Sequence, residues 1–132
     1  MSQELWSAVD EYLSDVLVNQ DDDLDAAVRA SDKAGLPSIQ VSPPQGKLLA
    51  ILAAMMGARS ILEVGTLGGY STIWMARALP SDGRLVTIEI DPKHAKVAQQ
   101  NFDRAGLSSR IELRVGNARE ILPRLIEEGY GP

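Results

Sequence analysis

Apolar residues recur at spacings of three and four positions near the start of the chain. Between residues 5 and 17 this spacing places them on one side of an α-helix. The sequence therefore predicts an amphipathic helix from Gln3 to about Val18. We expect Trp6 and Tyr12 to belong to the side of this helix that packs on the rest of the protein.

Two further helices are predicted before the first strand. One covers residues 24–34 and follows an acidic run at residues 21–25. Acids at a helix start cap free N–H groups and complement the helix dipole, and we favour this interpretation over a cation site. The other helix begins at Ser42, and its segment 48–56 is apolar nearly all round, which predicts burial between two layers.

The second half of the chain alternates strands with helices. The predicted strands are Ile61–Val64, Leu85–Ile90 and Ile111–Val115. Asp91 and Asn117 stand in capping positions before the following helices, and Pro123 should kink or interrupt the last one. This alternation predicts a parallel sheet with right-handed crossovers and the strand order 3-2-1.

The predicted fold is the N-terminal half of a doubly wound α/β fold. We expect a single domain over residues 1–132, with a helical segment at 1–57 and three strand-helix units at 58–132. The chain stops at residues 129–132, where a fourth strand should begin. The first strand is apolar enough to be covered on both faces, and it would be left with one bare edge.

The overall charge limits the partners that the chain can bind. The net charge is -5 and the pI is near 4.8, whereas nucleic acids and anionic membranes attract concentrated Lys and Arg. We therefore expect a small neutral or cationic ligand. The absence of cysteine, of a signal-peptide pattern and of a long apolar stretch leads us to expect a cytoplasmic protein.

The candidate chemistry begins at a glycine-rich turn after the first strand. Gly65, Gly68 and Gly69 remove side chains from this turn, and the helix that starts near Tyr70 presents free N–H groups to it. Such a turn can hold an anionic or nucleotide-like ligand, or it can simply be a tight connection. Leu67 stands where the dinucleotide-binding fingerprint requires glycine, so a nicotinamide-binding domain is disfavoured.

One acidic residue interrupts the second strand. Glu89 follows the turn by about 20 residues, where a carboxylate can accept hydrogen bonds from the hydroxyls of a ribose. The alternative is a salt bridge to a Lys or Arg on a helix.

His94 is the only histidine, and its place in the first turn of a surface helix favours a solvated residue over a general base. Asp91 fits a helix cap in the same way.

Four segments together resemble one enzyme family, the S-adenosylmethionine-dependent O-methyltransferases of the cation-dependent catechol and caffeoyl-coenzyme-A type. These segments are Ile61–Thr72, Val86–Pro92, Val115–Ala118 and, upstream, Val41–Gly46. The resemblance implies a Rossmann-like class I methyltransferase fold that uses S-adenosyl-L-methionine. It also implies methyl transfer to a hydroxyl group of a small, catechol-like acceptor.

The resemblance also implies which residues contact the cofactor. The methionine end would lie against Gly65, its carboxylate would meet Ser71, and Glu89 would hold the ribose hydroxyls. Val41 would close the methionine end, Thr66 would contact the cofactor from the turn, and Glu63, on the strand before it, would tune the turn electrostatically. The positions implied around the adenine are Ile90, Gly116, Ala118 and Arg119.

The same resemblance assigns no residue of this chain to the methyl transfer itself. In the family, the metal-binding acids and the acceptor site come from the fourth strand onward, so no catalytic or metal-binding residue is assigned before Pro132. A divalent cation, Mg²⁺ or similar, is expected only in the full-length form. The alternative is a non-catalytic assembly unit that dimerises through the bare first strand, and in either case we expect a homodimer.

Overall fold

The computed structural model of the protein describes residues 2–19 and 21–130, and the predicted helices and strands are present. They are α1 (Gln3–Leu17), α2 (Asp22–Lys33), α3 (Pro43–Met55), β1 (Ser60–Val64), α4 (Tyr70–Ala78), β2 (Arg84–Glu89), α5 (Pro92–Arg104), β3 (Ile111–Val115) and α6 (Ala118–Glu127). The expected start of a fourth strand at 129–132 extends over residues 131 and 132, which lie outside the described residues.

The three strands form one parallel sheet in the order β1-β2-β3, which confirms the predicted order 3-2-1 read from the other edge. The register places Val64 opposite Ile88 on β2. Beyond the strand ends, the N–H of Gly65 donates to the carbonyl of Ile88 at 2.8 Å, and the N–H of Gly116 donates to that of Glu89 at 2.8 Å. The turns that follow β1 and β3 therefore meet the end of β2 at one edge of the sheet.

The core has one part on each face of β2. Because side chains alternate along a strand, Leu85 packs with Ile73 and Phe102 on one face, whereas Val86 and Ile88 face Leu125 on the other. The first group joins α2, α4 and α5, and the second lies beneath α6. This packing fixes the helices that follow β1 and β2, and hence the two loops that precede them.

The apolar side of α1 is exposed, so the expectation that it packs on the rest of the protein was wrong. Trp6 is 52% exposed and Tyr12 is 66% exposed, and α1 buries none of its residues. Within the described residues α1 meets mainly α3, whose own apolar surface is also exposed. The periodicity correctly indicated a helix with one apolar side, but not what covers that side.

The prediction that α3 is buried between two layers was also wrong for the described residues. Leu48 is 53% exposed and Met55 is 78% exposed, while Gly46 and Ala53 are buried. An all-round apolar helix needs neighbours on opposite sides, and α3 packs closely on α4, while its smaller contact with α1 leaves Leu48 and Met55 exposed. No helix in residues 2–19 and 21–130 combines the length and apolar content needed to cross a membrane.

The strand β1 has the bare edge that the sequence predicts, but only one of its two faces is covered, the one that carries Ile61 and Glu63. Among the described residues β1 pairs with β2 alone, and Leu62 and Val64 are 53% and 61% exposed. Covering both faces of a parallel strand requires further elements beyond its edge, which the described residues do not supply.

Pro123 does not interrupt the last helix, which is one of the two effects that the sequence predicted for it. This residue lies inside α6, which continues without interruption from Ala118 to Glu127. Pro123 removes the one N–H that would donate to the carbonyl of Arg119, and the helix tolerates the loss of that single bond.

Candidate functional site

A cavity of about 350 Å³ opens at the carboxyl ends of β1 and β2. The structure brings together there five of the predicted cofactor-binding residues, which are Val41, Gly65, Thr66, Ser71 and Glu89. They come from the loop before α3, the turn after β1, the start of α4 and the end of β2. These segments are distant in sequence, and the parallel sheet places them side by side.

The turn between β1 and α4 is open above and tightly packed below. Gly65 has φ +91°, and a Cβ added there would meet no atom within 4 Å, so this position leaves space beside the cavity. A Cβ at Gly69, where φ is +82°, would overlap the ring of Phe102, and one at Gly68 would overlap Ser31. The glycines therefore serve both as a tight connection and as a surface that a ligand can approach.

The Glu89 carboxylate binds this turn through backbone groups. Its Oε2 accepts hydrogen bonds from the N–H of Thr66 at 3.0 Å and the N–H of Leu67 at 2.8 Å, and its Oε1 accepts from the N–H of Asp91 at 2.9 Å. Glu89 is only 5% exposed. Backbone N–H groups therefore compensate its charge, and these contacts replace the alternative of a salt bridge to a helix Lys or Arg.

One residue of the turn adopts a strained backbone conformation. Leu67 has φ +52°, a left-handed conformation that costs a residue with a side chain roughly 1–2 kcal/mol. A hydrogen bond to a charged group contributes about 1.5–3 kcal/mol. The bond from the Leu67 N–H to Glu89 is therefore strong enough to hold the turn in this shape.

A second carboxylate, Glu63, lies beneath the turn and accepts three hydroxyl hydrogen bonds. Ser71 donates to its Oε1 at 2.6 Å, while Thr72 and Thr87 donate to its Oε2 at 2.5 and 2.7 Å. Thr66 and Thr87 hydroxyls are 2.6 Å apart, and since the Thr87 proton goes to Glu63, Thr66 must donate to Thr87. The Ser71 hydroxyl likewise donates its proton to Glu63, so toward the cavity it can only accept a hydrogen bond.

The surroundings of Glu63 change its acidity. Burial raises the pKa of the Glu63 carboxyl above its ordinary value, the hydrogen bonds from Ser71, Thr72 and Thr87 lower it in part, and the charge of Glu89 raises it further. Glu63 does not itself line the cavity, and it reaches the site through Ser71. The proposal that it tunes the turn electrostatically stays a prediction.

The remaining predicted positions lie near the sheet edge but do not line this cavity. Ile90 is 68% exposed, Arg119 is exposed on α6, and Ala118 packs against the core beneath that helix. Gly116 is joined to the end of β2 by its N–H bond to the Glu89 carbonyl. Their contacts with adenine stay predictions.

The expectation of a solvated His94 was wrong. The side chain is 21% exposed and lines the cavity. Its Nδ1 is 3.7 Å from Glu89 Oε1, and its Nε2 is 3.6 Å from Asp91 Oδ2. The signal in the sequence was its place in the first turn of the helix after β2, because that turn begins at the ligand-binding edge of a parallel sheet.

Four other lining residues were not assigned to the site from the sequence, namely Ile39, Gln40, Leu67 and Tyr70. Leu67 and Tyr70 stand within the glycine motif and could have been assigned from it. Ile39 and Gln40 lie in the loop before α3, where no periodic pattern marks them. Burial raises the pKa of the Tyr70 phenol above its ordinary value.

The acidic run before α2 caps this helix, as predicted. Asp21 Oδ1 accepts hydrogen bonds from the N–H groups of Asp23 and Leu24, and Arg77 pairs with Asp21 and Asp23 at 2.5 and 2.8 Å. Asp91 caps α5 by accepting from the N–H of Lys93 at 2.7 Å. Over residues 2–19 and 21–130 no group of three or more His, Cys, Asp or Glu side chains could hold a metal ion.

The raised pKa of Glu63 makes a prediction about stability and pH. A carboxyl with a raised pKa in the folded state stabilises the fold fully below its unfolded pKa of about 4.3 and loses this contribution as pH rises through the folded value. Glu63→Gln removes this titration. The free energy of unfolding of the variant minus that of the parent chain should therefore increase from acid to neutral pH. Urea unfolding at a series of pH values measures this difference. A difference that is constant with pH would contradict a raised pKa of Glu63 in the folded protein.

Comparison with known proteins identifies the family to which the chain is similar. The model of the O-methyltransferase family matches residues 15–132. A catechol O-methyltransferase from Niastella koreensis is 58% identical over 132 residues, which are 100% of this chain and 60% of that protein. A catechol O-methyltransferase from Mycobacterium tuberculosis is 53% identical over 89% of this chain and 53% of its own length.

Solved structures agree with these matches. An O-methyltransferase from Bacillus cereus in complex with SAH has a TM-score of 0.94 and 50% identity, covering 98% of this chain and 59% of that chain. One from Streptomyces achromogenes, involved in tomaymycin synthesis and in complex with SAM, has a TM-score of 0.91 and 50% identity, covering 100% and 59%. The chain thus spans somewhat more than half the length of these relatives, and it belongs to the O-methyltransferase family.

Proposed function

We propose that this chain binds S-adenosylmethionine (SAM) and its demethylated product S-adenosylhomocysteine (SAH) as the cofactor-binding part of an O-methyltransferase. The observation that carries the proposal is the cavity that lies between a buried carboxylate, Glu89, and the start of α4. A ribose needs an acceptor for its hydroxyls, and an amino-acid tail needs groups for two opposite charges.

The ends of the cavity fit the two ends of such a ligand. At the start of α4 the first N–H groups have no partner within the helix and favour a carboxylate. Ser71 donates its proton to Glu63, so its hydroxyl oxygen can accept a hydrogen bond from the ammonium group of the ligand, while its backbone N–H suits the ligand carboxylate. A volume of about 350 Å³ lies in the usual range for small-molecule sites.

The residues around the cavity would bind and orient the cofactor and would not carry out the transfer. When bound, SAM supplies an activated methyl group. Transfer requires an acceptor oxygen aligned with that methyl group at close distance, and no residue of the described chain is assigned to align it. The chain can therefore supply the cofactor's position, while the acceptor has to be held by other groups.

The acceptor and the cation belong to the proposal for the full-length protein. A small phenolic or catechol-like hydroxyl acceptor is supported by the names of the Niastella koreensis and Mycobacterium tuberculosis relatives, which are catechol O-methyltransferases. We propose a divalent cation only for that longer form, where residues outside this chain would supply its ligands.

The test of the proposed function is a calorimetric titration of the chain with SAH. Binding is expected, and Glu89→Gln should weaken it because a charged acceptor for a ribose hydroxyl is lost. A loss of about 1.5–3 kcal/mol corresponds to roughly 10- to 160-fold in Kd. Glu112→Gln is the matched control, since Glu112 lies on β3 away from the carboxyl ends of the strands. Equal affinity of Glu89→Gln and the parent chain would remove the ribose assignment.

A second candidate function, a non-catalytic assembly unit, is favoured by the bare edge of β1. Leu62 and Val64 are exposed there, and the backbone of β1 has a partner on one side only among the described residues. The opposite edge of the sheet is less suited to pairing, because Glu112 and Arg114 on β3 carry charges and form ion pairs. A second copy could pair with β1 and form a continuous sheet about a two-fold axis.

Light scattering tests this second function. A dimer is expected for the parent chain, and Leu62→Lys should shift it to a monomer because a charge at a strand edge opposes pairing. Val115→Lys, at an exposed residue of the opposite edge, is the control and should leave the dimer intact. A parent chain that stays monomeric at concentrations of about 100 μM would exclude this function.

A further inference from the structure

We propose that Asn101 is a positioning residue for the candidate site, because it holds the turn after β1 in the orientation that directs the start of α4 toward the cavity. Asn101 lies on α5 and does not itself line the cavity. The inference rests on the proposed function and deepens it, since it names a residue that acts on the amino-acid tail of the ligand through the backbone.

The Asn101 side chain is buried, and its amide joins the turn to α5 and α2. It is 1% exposed, and its Nδ2 donates to the carbonyl of Gly68 at 2.8 Å and lies 3.5 Å from the carbonyl of Ala27 on α2. Its Oδ1 accepts a hydrogen bond from Arg104 Nη1 at 2.7 Å. Because an arginine can only donate, the atom that faces it must be the amide oxygen, and the amide nitrogen must face the two carbonyls. The orientation of the amide is therefore fixed from both sides.

The carbonyl of Gly68 depends on this hydrogen bond. Gly68 is buried, and within residues 2–19 and 21–130 no backbone N–H donates to its oxygen. A buried carbonyl without a partner is costly, because it has lost its hydrogen bonds to water. Asn101 therefore stabilises the conformation of the turn in which this carbonyl points toward α5 and α2.

The same hydrogen bond orients the peptide group between Gly68 and Gly69. The carbonyl and the N–H of a trans peptide point in opposite directions, and the N–H of Gly69 donates to the carbonyl of Thr66 at 2.8 Å. Glycines impose little steric preference on the backbone, so these two hydrogen bonds set the orientation of the peptide. Gly69 is the N-cap of α4, and the first N–H groups of this helix, including that of Ser71, have no partner within it. Asn101 thereby controls where those N–H groups point.

Glu89 and Asn101 hold different parts of the turn. Glu89 accepts from the N–H groups of Thr66 and Leu67, in the first half of the turn, whereas Asn101 donates to the carbonyl of Gly68, immediately before α4. Loss of the Asn101 amide should therefore leave the part of the cavity beside Glu89 unchanged. It should weaken the part at the start of α4, where the proposed function places the amino-acid tail of the ligand.

Calorimetry with two probes tests the inference. These are SAH and methylthioadenosine, which keeps the adenosine and the sulfur but lacks the amino-acid tail. Asn101→Leu has a similar shape and cannot donate, so it should bind SAH about 2- to 13-fold more weakly, the range for one hydrogen bond. It should bind methylthioadenosine as tightly as the parent chain does. Ile111→Val, a change at a buried residue that begins β3 at the end of the strand opposite the site, is the control for general destabilisation and should bind both probes like the parent chain.

Amide hydrogen exchange without ligand gives a measurement that does not depend on cofactor binding. In Asn101→Leu the N–H of Gly69 should exchange faster than in the parent chain, while that of Gly65, which donates to the Ile88 carbonyl, should stay protected. Arg104→Met removes the donor that orients the amide, and it should have the same effect to a smaller extent. Because Arg104 is exposed, this variant provides the test if Asn101→Leu does not fold.

Unchanged exchange at Gly69, or equal effects of Asn101→Leu on the two probes, would overturn the positioning role of Asn101 and leave the proposed function intact. A parent chain that binds neither probe at about millimolar concentration would overturn the proposed function, and with it any role of Asn101 in cofactor binding. The exchange rate at Gly69 would still decide whether Asn101 holds the turn.

Discussion

The hydrogen bonds between the Glu89 carboxylate and the N–H groups of Thr66 and Leu67 hold the candidate site together. Glu89 ends β2, whereas the two N–H groups belong to the turn that follows β1. These bonds compensate a buried charge, which would otherwise cost several kcal/mol. They also hold Leu67 in its left-handed conformation. One interaction therefore makes the buried acid tolerable and gives the turn its shape.

The site has two buried acids with different surroundings and different roles. Glu89 is bound by backbone N–H groups and retains a position for a ligand, whereas Glu63 is bound by side-chain hydroxyls below the turn. The second arrangement orients Ser71 as an acceptor, although a serine at a helix start is more readily assigned as a donor to an anion. Under the proposed function, the N–H groups at the start of α4 would bind the ligand carboxylate, and the serine oxygen would accept from the ligand ammonium group.

Local patterns in the sequence were enough to predict the helices, the strands and the parallel order. Capping residues such as Asp91 and Asn117, the glycines of the turn and the period-two strands each act over a few residues, so their signals are readable without the fold. Glu89 could be assigned to the cavity for the same reason, since the end of a parallel strand is a defined place. What the carboxylate binds there was not readable, because two of its three partners are backbone groups 22 and 23 residues away in the turn after β1.

Apart from the interruption expected at Pro123, the predictions that were wrong concern which surfaces are covered. Trp6 on α1, Met55 on α3 and Leu62 on β1 stand in apolar patterns, yet all three are exposed. An apolar pattern shows that a surface favours burial, but it carries no information on which element covers it. The chain spans 53–60% of the length of its catechol O-methyltransferase relatives, and covered faces predicted from the sequence need neighbours that the described residues do not provide. The place of His94 in the cavity lining was missed for a related reason, because the exposure of its side chain depends on the elements around the cavity.

Amide hydrogen exchange of the ligand-free protein tests the central interaction most directly. The N–H groups of Thr66 and Leu67 should exchange slowly, as should that of Gly65, which donates to the Ile88 carbonyl within the sheet edge. In Glu89→Ala, exchange at Thr66 and Leu67 should become much faster while Gly65 stays protected. Fast exchange of Thr66 and Leu67 in the parent chain, at the rate of exposed loop residues, would contradict a turn held by the Glu89 carboxylate.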